Sequence, residues 1–367
     1  MPHADGQPVV VIGAGPAGLA AATALTGAGF DAVCLEARGR PGGRLLSTPA
    51  GGDLGATWFW DGEQRVRALV TRLGLDTFAQ HTAGSALFQD VTGVHRLPGN
   101  PIDVPAHRYT AGAGALTDRM AATLPPGTLR LNTPVTAIRT SGRGLSVHTS
   151  DTVHQAGHVV LAVPPALALA RIDFGEELPA DLLRLASATP VWMGAVVKVV
   201  AVYGDAFWRR DGLAGAAFSH TGPLQEVHDM SGPQGSPAAL FGFAPAPATG
   251  PGFRQAVIDQ LTGLFGPAAA RPEALHVQDW STEHWTSPPG VQRLTDYSLF
   301  GHARYQQPSL NGRLHWASTE TAVGYAGHVE GALAGGERAA RAILKALPRL
   351  AANAPGRGQS PAPLTHR

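Results

Sequence analysis

Val9-Val10-Val11-Ile12-Gly13-Ala14-Gly15-Pro16-Ala17-Gly18 is the stretch that decides the fold of this chain. The β-branched run, opened by Pro8, reads as a buried strand, and the glycines form a turn directly after it. Residues 19–27 read as a helix and residues 30–35 as a second strand, which Glu36 closes. Gly13 permits the tight turn out of the strand, Gly15 lets a ligand approach the backbone, and Gly18 allows helix and strand to pack closely. A helix N-terminus behind such a turn offers free N–H groups and a positive dipole end, which suit a pyrophosphate. An acid about 20 residues further on accepts ribose hydroxyls. The glycine spacing alone is a weak signal; with strand, helix and acid in order it predicts an α/β dinucleotide-binding unit of Rossmann type.

Ala37-Arg38-Gly39-Arg40-Pro41-Gly42-Gly43-Arg44 follows. Gly42 and Gly43 can turn further N–H groups toward a second phosphate face, and Arg38 and Arg44 add fixed positive charge. A plain NAD domain has no need of this module. Here the chain resembles the flavin-containing amine oxidase (monoamine oxidase-like) family, whose signature runs from the acid to a Gly-Gly-Arg. The resemblance implies FAD rather than NAD.

Composition bounds the remaining possibilities. The chain has 367 residues, 44% hydrophobic and 15% charged, with formal net charge +1. That suits about two domains with a large core. The near-neutral charge and scattered arginines exclude the basic stripe of a nucleic-acid binder. No apolar segment approaches the ~18 residues of a membrane span, and residues 1–5 carry no signal peptide, so a cytoplasmic protein is expected. The 15 histidines show no zinc-like spacing, and no G-x-S-x-G elbow is present; no metal is expected. The single cysteine, Cys34, falls inside the second strand, where a small buried apolar role is expected.

The resemblance covers most of residues 8–345 in the family's order. It implies a discontinuous FAD-binding domain of residues 1–63, 108–185 and 288–350, and an α+β substrate domain of residues 64–107 and 186–287. The segment 64–107 is short where the family usually carries a long helical insertion. Residues 64–77 read as a helix, 78–107 as short strands or loop, 178–187 as a helix, 195–203 as a strong strand and 253–265 as an amphipathic helix. Residues 351–367 read as a disordered tail.

Gly52-Asp53-Leu54-Gly55-Ala56-Thr57-Trp58 resembles the family's turn beside the flavin, which assigns Gly55, Ala56, Thr57 and Trp58 to the cofactor. Val135 matches a residue that contacts the adenine end through its backbone. The stretch 312–322 resembles the family's second fingerprint, and Glu320 matches the position that hydrogen-bonds the ribityl chain. Gly327, His328 and Val329 then open a long helix to about residue 347, whose N-terminus would face the flavin edge that gains negative charge. Some family members attach flavin through a cysteine in the C-terminal third. No cysteine stands there, so FAD is expected to be non-covalent.

Three residues carry the chemistry by this reading. Lys198 interrupts the apolar run 193–203 and shares a strand face with Val196, Val200 and Val202. The residues alone leave open a lysine snorkelling from an edge strand and a buried functional amine. The resemblance implies the second: a lysine that holds a water at flavin N5 and assists reaction with O2. His328 takes a position where the family places an aromatic ring, and stands as a substrate hydrogen-bond donor, a proton acceptor or a flavin-packing residue. Tyr325 matches a nearby family aromatic. Trp280 and Trp285 are candidates for the other ring of an aromatic cage, or core anchors. The reaction so implied is oxidation of an amine or amino acid to an imine by hydride transfer to flavin N5, with O2 as acceptor giving peroxide. Two alternatives stay open: a desaturase or dehydrogenase acting on a carbon skeleton, and an FAD-binding protein without turnover.

Overall fold

The computed structural model describes residues 7–291, 294 and 296–346. The expected tail at residues 351–367 lies outside them. Val9–Ile12 is the middle strand of a five-stranded sheet in the order 314–316, 158–161, 9–12, 32–35, 129–130, with every pair parallel. Strands fully buried on both faces explain the unbroken Val-rich runs, including His158-Val159-Val160-Leu161. The chain leaves Val9–Ile12 toward one side of the sheet and returns on the other. This makes the carboxyl end of that strand a switch point, where such folds bind ligands.

The helix after the glycine turn runs Pro16–Gly27, three residues earlier than the spacing predicts. Proline at its first position needs no N–H partner and is pre-set for helical φ. Gly18 packs as expected: a Cβ there would lie 1.8 Å from the Gly13 carbonyl oxygen and 3.2 Å from Ala162 Cβ. The second strand, 32–35, begins two residues later than expected, after a turn at Gly29 with φ +83°. Against this layer packs the long helix Val329–Ala346. Its Gly336 approaches so closely that a Cβ would sit 2.0 Å from the Ala17 carbonyl oxygen.

A seven-stranded sheet forms the second layer system, in the order 274–279, 196–203, 238–245, 226–229, 213–219, 85–90, 93–96. Its pairs are antiparallel except 213–219 with 85–90. Val196–Tyr203 is therefore an interior strand, and the snorkelling-edge reading of Lys198 does not hold. Val197, Val199, Ala201 and Tyr203 pack with Val257, Leu261 and Leu264 of the helix Phe253–Phe265. The opposite face turns Lys198, Val200 and Val202 toward Phe241, Phe243 and Trp58.

The helix expected over 64–77 ends at Leu73, because Gly74 adopts φ +61° and caps it; Thr77–Ala79 is a short strand instead. The helix expected over 178–187 spans Ala180–Ala188. Among the described residues no helix is long and apolar enough to cross a membrane, and no group of three or more metal-ligating side chains converges.

Candidate active site

A cavity opens at the switch point. It is lined by Gly13, Gly15, Pro16, Ala17 and Glu36 from the first strand–helix–strand unit, and by Arg38, Gly43 and Arg44 from the loop after it. Gly55, Ala56, Thr57 and Trp58 line it beside Lys198, and Gly327, His328 and Val329 open the long helix on it. Two helix N-termini, at Pro16 and Val329, thus meet the same space. Both present unpaired N–H groups and positive dipole ends to a ligand carrying phosphate and an electron-rich ring.

Glu36 is buried, and its two oxygens accept from the backbone N–H of Ala14 at 2.8 Å and of Arg38 at 2.9 Å. The acid therefore fastens the glycine turn to the following loop, with acceptor capacity left for hydroxyls. Arg38 reaches Thr286 at 2.7 Å and Glu283 at 3.5 Å. The run 42–46 lies beside residues 53–56, and at Gly55 a Cβ would collide with the Arg44 carbonyl oxygen at 1.9 Å. This close approach brings the second glycine motif next to the Lys198 site.

Lys198 is 1% exposed. Its Nζ donates to the Gly55 carbonyl at 2.9 Å and to Thr57 Oγ1, and lies 4.2 Å from the centre of the Phe241 ring. Burial pulls its pKa down to about 7; the Asp53 carboxylate opposes the shift and the Arg108 guanidinium adds to it. Burial in turn pushes the Asp53 carboxyl up against the pull of Lys198.

His328 lines the cavity with its Nδ1 2.7 Å from Glu63 Oε1. The rings of Trp60 and Trp192 flank it at 5.1 and 6.4 Å between centroids. Thr319 Oγ1 accepts from the Gly327 N–H and donates to the His328 carbonyl, which holds this turn. Gly327 has φ +88°, and a Cβ there would strike the Trp192 ring at 2.5 Å. Trp280 and Trp285 also line the cavity, and Trp280 donates its indole N–H to the Leu54 carbonyl.

Several expected site residues lie elsewhere. Glu320 is not on the cavity wall. It is fully buried and spent on Arg44, at 2.6 and 3.2 Å, and on the Trp192 N–H at 3.1 Å, so it cannot serve a ribityl chain directly. Tyr325 is 49% exposed, because φ +54° there turns its ring outward, where the hydroxyl donates to the Gly62 carbonyl. Val135 sits in the apolar core with Val10, Ile12 and Leu35. Gly18 lies in the first turn of the Pro16–Gly27 helix, packed on Gly13, and Ala37 and Gly42 belong to the loop behind the wall. Gly42, at φ +107°, leaves no room for a Cβ beside Leu45 and Thr117. Sequence reasoning missed Glu63, Trp60, Trp192 and Met193; no motif or spacing ties them to the glycine turns, although all but Glu63 line the cavity.

The cavity fits an FAD. The glycine turn and Glu36 provide one end and the second helix the other, and the buried Ser318 Oγ on its wall has no partner within the protein. Cys34 is buried in its strand, donates weakly to the Gly13 carbonyl and does not line the cavity, so no cysteine linkage is available.

Comparison with known proteins agrees with this geometry. The family described as flavin containing amine oxidoreductase matches residues 16–111 and 88–344. Putrescine oxidase from Kocuria rosea is 26% identical over 92% of this chain and 95% of that protein. L-amino acid dehydrogenase from Synechocystis is 33% identical over 64% of this chain and 50% of that protein. Bovine (Bos taurus) flavin-containing amine oxidase A is 30% identical over 67% of this chain and 48% of that protein. Among solved structures, putrescine oxidase bound to putrescine has a TM-score of 0.80 at 24% identity, over 92% of this chain and 99% of that chain. Cyclohexylamine oxidase from Brevibacterium oxydans has a TM-score of 0.80 at 24% identity, over 93% and 99%. At that identity the structures speak for the fold. The chain belongs to the flavin-containing amine oxidoreductase family. It is an FAD-dependent amine oxidoreductase whose cofactor is non-covalent.

Proposed function

We propose that this enzyme oxidises amines with an apolar body and returns the electrons to O2, with Lys198 serving the O2 step and His328 the amine. One observation carries the reading: a continuous cavity joins the Gly13–Gly15 turn and Glu36 to a wall made of Lys198, His328 and five tryptophans, Trp58, Trp60, Trp192, Trp280 and Trp285. FAD bound there supplies a two-electron acceptor for a hydride equivalent from the C–H next to the substrate nitrogen.

The chain's own residues do the rest. The glycine turn and the Pro16 helix terminus hold the pyrophosphate, and Glu36 the ribose. The Val329 helix terminus favours negative charge at the far end of the cofactor. Trp60 and Trp192 shape an aromatic slot beside His328 that suits the apolar body of an amine. The cavity's cations are already held: Arg38 by Thr286 and Glu283, Arg44 by Glu320, Lys198 by Gly55 and Thr57. This favours amines over amino acids, whose carboxylate needs a cation. In the same reading the described residues of 1–63, 108–185 and 288–350 form the cofactor domain, and 64–107 with 186–287 form the substrate domain. Steady-state oxygen uptake with cyclohexylamine, benzylamine and a set of amino acids tests the substrate class. Uptake with the apolar amines is expected; uptake with the amino acids alone would reverse the assignment.

A further inference from the structure

His328 and Glu63 lie 265 residues apart, yet Nδ1 of the imidazole stands 2.7 Å from Glu63 Oε1. Glu63 is 1% exposed, and its other oxygen accepts the Trp60 backbone N–H at 3.3 Å. A buried carboxylate at that distance takes a hydrogen from the ring nitrogen it faces. Nδ1 therefore carries the hydrogen, and Nε2 is left with a lone pair on a side chain that is 34% exposed and lines the cavity.

This arrangement meets a need of the chemistry. An alkylamine reaches the enzyme at neutral pH as an ammonium ion, and a carbon next to a positively charged nitrogen does not release a hydride. The nitrogen must first recover its lone pair. We propose that His328 Nε2 is the proton acceptor that neutralises the incoming ammonium, and that Glu63 is the positioning residue that fixes the tautomer and stabilises the imidazolium. The N–H bond of the ammonium breaks with its electron pair kept by nitrogen, an N–H bond forms at Nε2, and the proton passes to water after the product leaves.

The other charged or titratable groups around His328 are committed. Tyr325 donates to the Gly62 carbonyl, and Glu330 is taken by the Arg65 guanidinium and by the backbone N–H groups of Arg65 and Val66. Arg44 is bound to Glu320. Lys198, whose Nζ donates to Gly55 and Thr57, is the rival acceptor and is tested as such.

The inference rests on the amine-oxidase reading but is tested apart from turnover. The probe is 2-phenylpropan-2-amine, which has no C–H next to nitrogen and so cannot be oxidised. Holoenzyme labelled with nitrogen-15 in histidine is expected to show His328 protonated at Nδ1 and bare at Nε2, and doubly protonated once the probe binds. The signal is assigned by its loss in His328→Phe. Calorimetry in buffers of different ionisation heat counts the protons released on binding. His328→Phe should release about one proton per probe more than the wild type, Lys198→Met no more than the wild type, and Glu63→Gln, which keeps an acceptor at Nδ1 but loses the charge, an intermediate number. An Nε2–H tautomer, or equal release by wild type and His328→Phe, overturns the proposal. If oxidisable amines still reduce the flavin in that case, the function stands and this role of His328 falls.

Discussion

Arg44 reaches Glu320 across 276 residues of chain, with Nη1 2.6 Å from Oε1 and Nη2 3.2 Å from Oε2. The same carboxylate accepts the Trp192 N–H, and Arg44 donates to the Trp192 carbonyl at 2.9 Å. Thus the second glycine motif, the C-terminal fingerprint and an indole of the cavity wall are tied at one point. Burial works to raise the Glu320 carboxyl, and the charge and hydrogen bonds of Arg44 overcome it, holding the group below its usual range.

Removing Arg44 leaves a buried carboxylate without its cation. Arg44→Met should cost about 3–5 kcal/mol at neutral pH, read by urea denaturation. Arg44→Lys, which keeps charge but not the two-pronged geometry, should recover only part of the loss. The bound FAD fraction should fall in step, because Trp192 loses its anchor.

Gly18→Ala tests the first turn. The added Cβ would meet the Gly13 carbonyl oxygen at 1.8 Å, and that atom belongs to the turn itself. Overpacking at this site should cost about 3 kcal/mol and weaken FAD binding, measured as flavin per protein after gel filtration and as melting temperature with and without added FAD. Gly27→Ala, where nothing lies within 4 Å of the new Cβ, is the control: FAD binding should be unchanged and the melting temperature no lower than the wild type's.

Lys198 is expected to act through its charge. In the proposed O2 step, reduction would place negative charge beside Nζ, which an ammonium stabilises and a neutral amine does not. With the pKa at about 7, the second-order rate of flavin reoxidation should fall as pH rises through that value. Lys198→Met should reoxidise about tenfold or more slowly, lose the pH dependence and keep its FAD. Stopped-flow mixing of the reduced enzyme with O2 reads all three.

His315 sets an acid limit on stability. Burial pulls its pKa down to about 4, helped by His158, whose ring nitrogen lies 3.3 Å away, and by Arg338. The unfolded chain takes up this proton near pH 6.5 and the folded chain only near 4. The folded protein therefore loses stability as pH falls through that window, by up to about 3 kcal/mol. His315→Leu should gain on the wild type by that amount between pH 6.5 and 4, in denaturation curves taken at each pH.

What was legible in the sequence was local. The turn at Gly13–Gly18 and the acid at Glu36 declare themselves because backbone conformation and helix dipoles act over neighbouring residues. Period-2 alternation placed Lys198 on the face it occupies. What was not legible depends on residues brought together from far along the chain. Whether Lys198 lay on an edge or inside a sheet depended on strands 238–245 and 274–279, which no local pattern assigns. Glu63 closes on His328, and Glu320 on Arg44, without a spacing rule to announce either pair. Tyr325 lies beside the matched motif, but one residue with positive φ turns it away from the cavity.

An amine that delivers its electrons to a flavin held between the Gly13 turn and His328 must bleach that flavin when O2 is absent. Anaerobic mixing of the purified holoenzyme with cyclohexylamine or benzylamine, followed by flavin absorbance, tests it most directly. These amines should bleach the flavin fully, and admitting O2 should restore the oxidised spectrum. A flavin that no amine in a broad panel bleaches, but that a carbon-skeleton donor reduces, would contradict it.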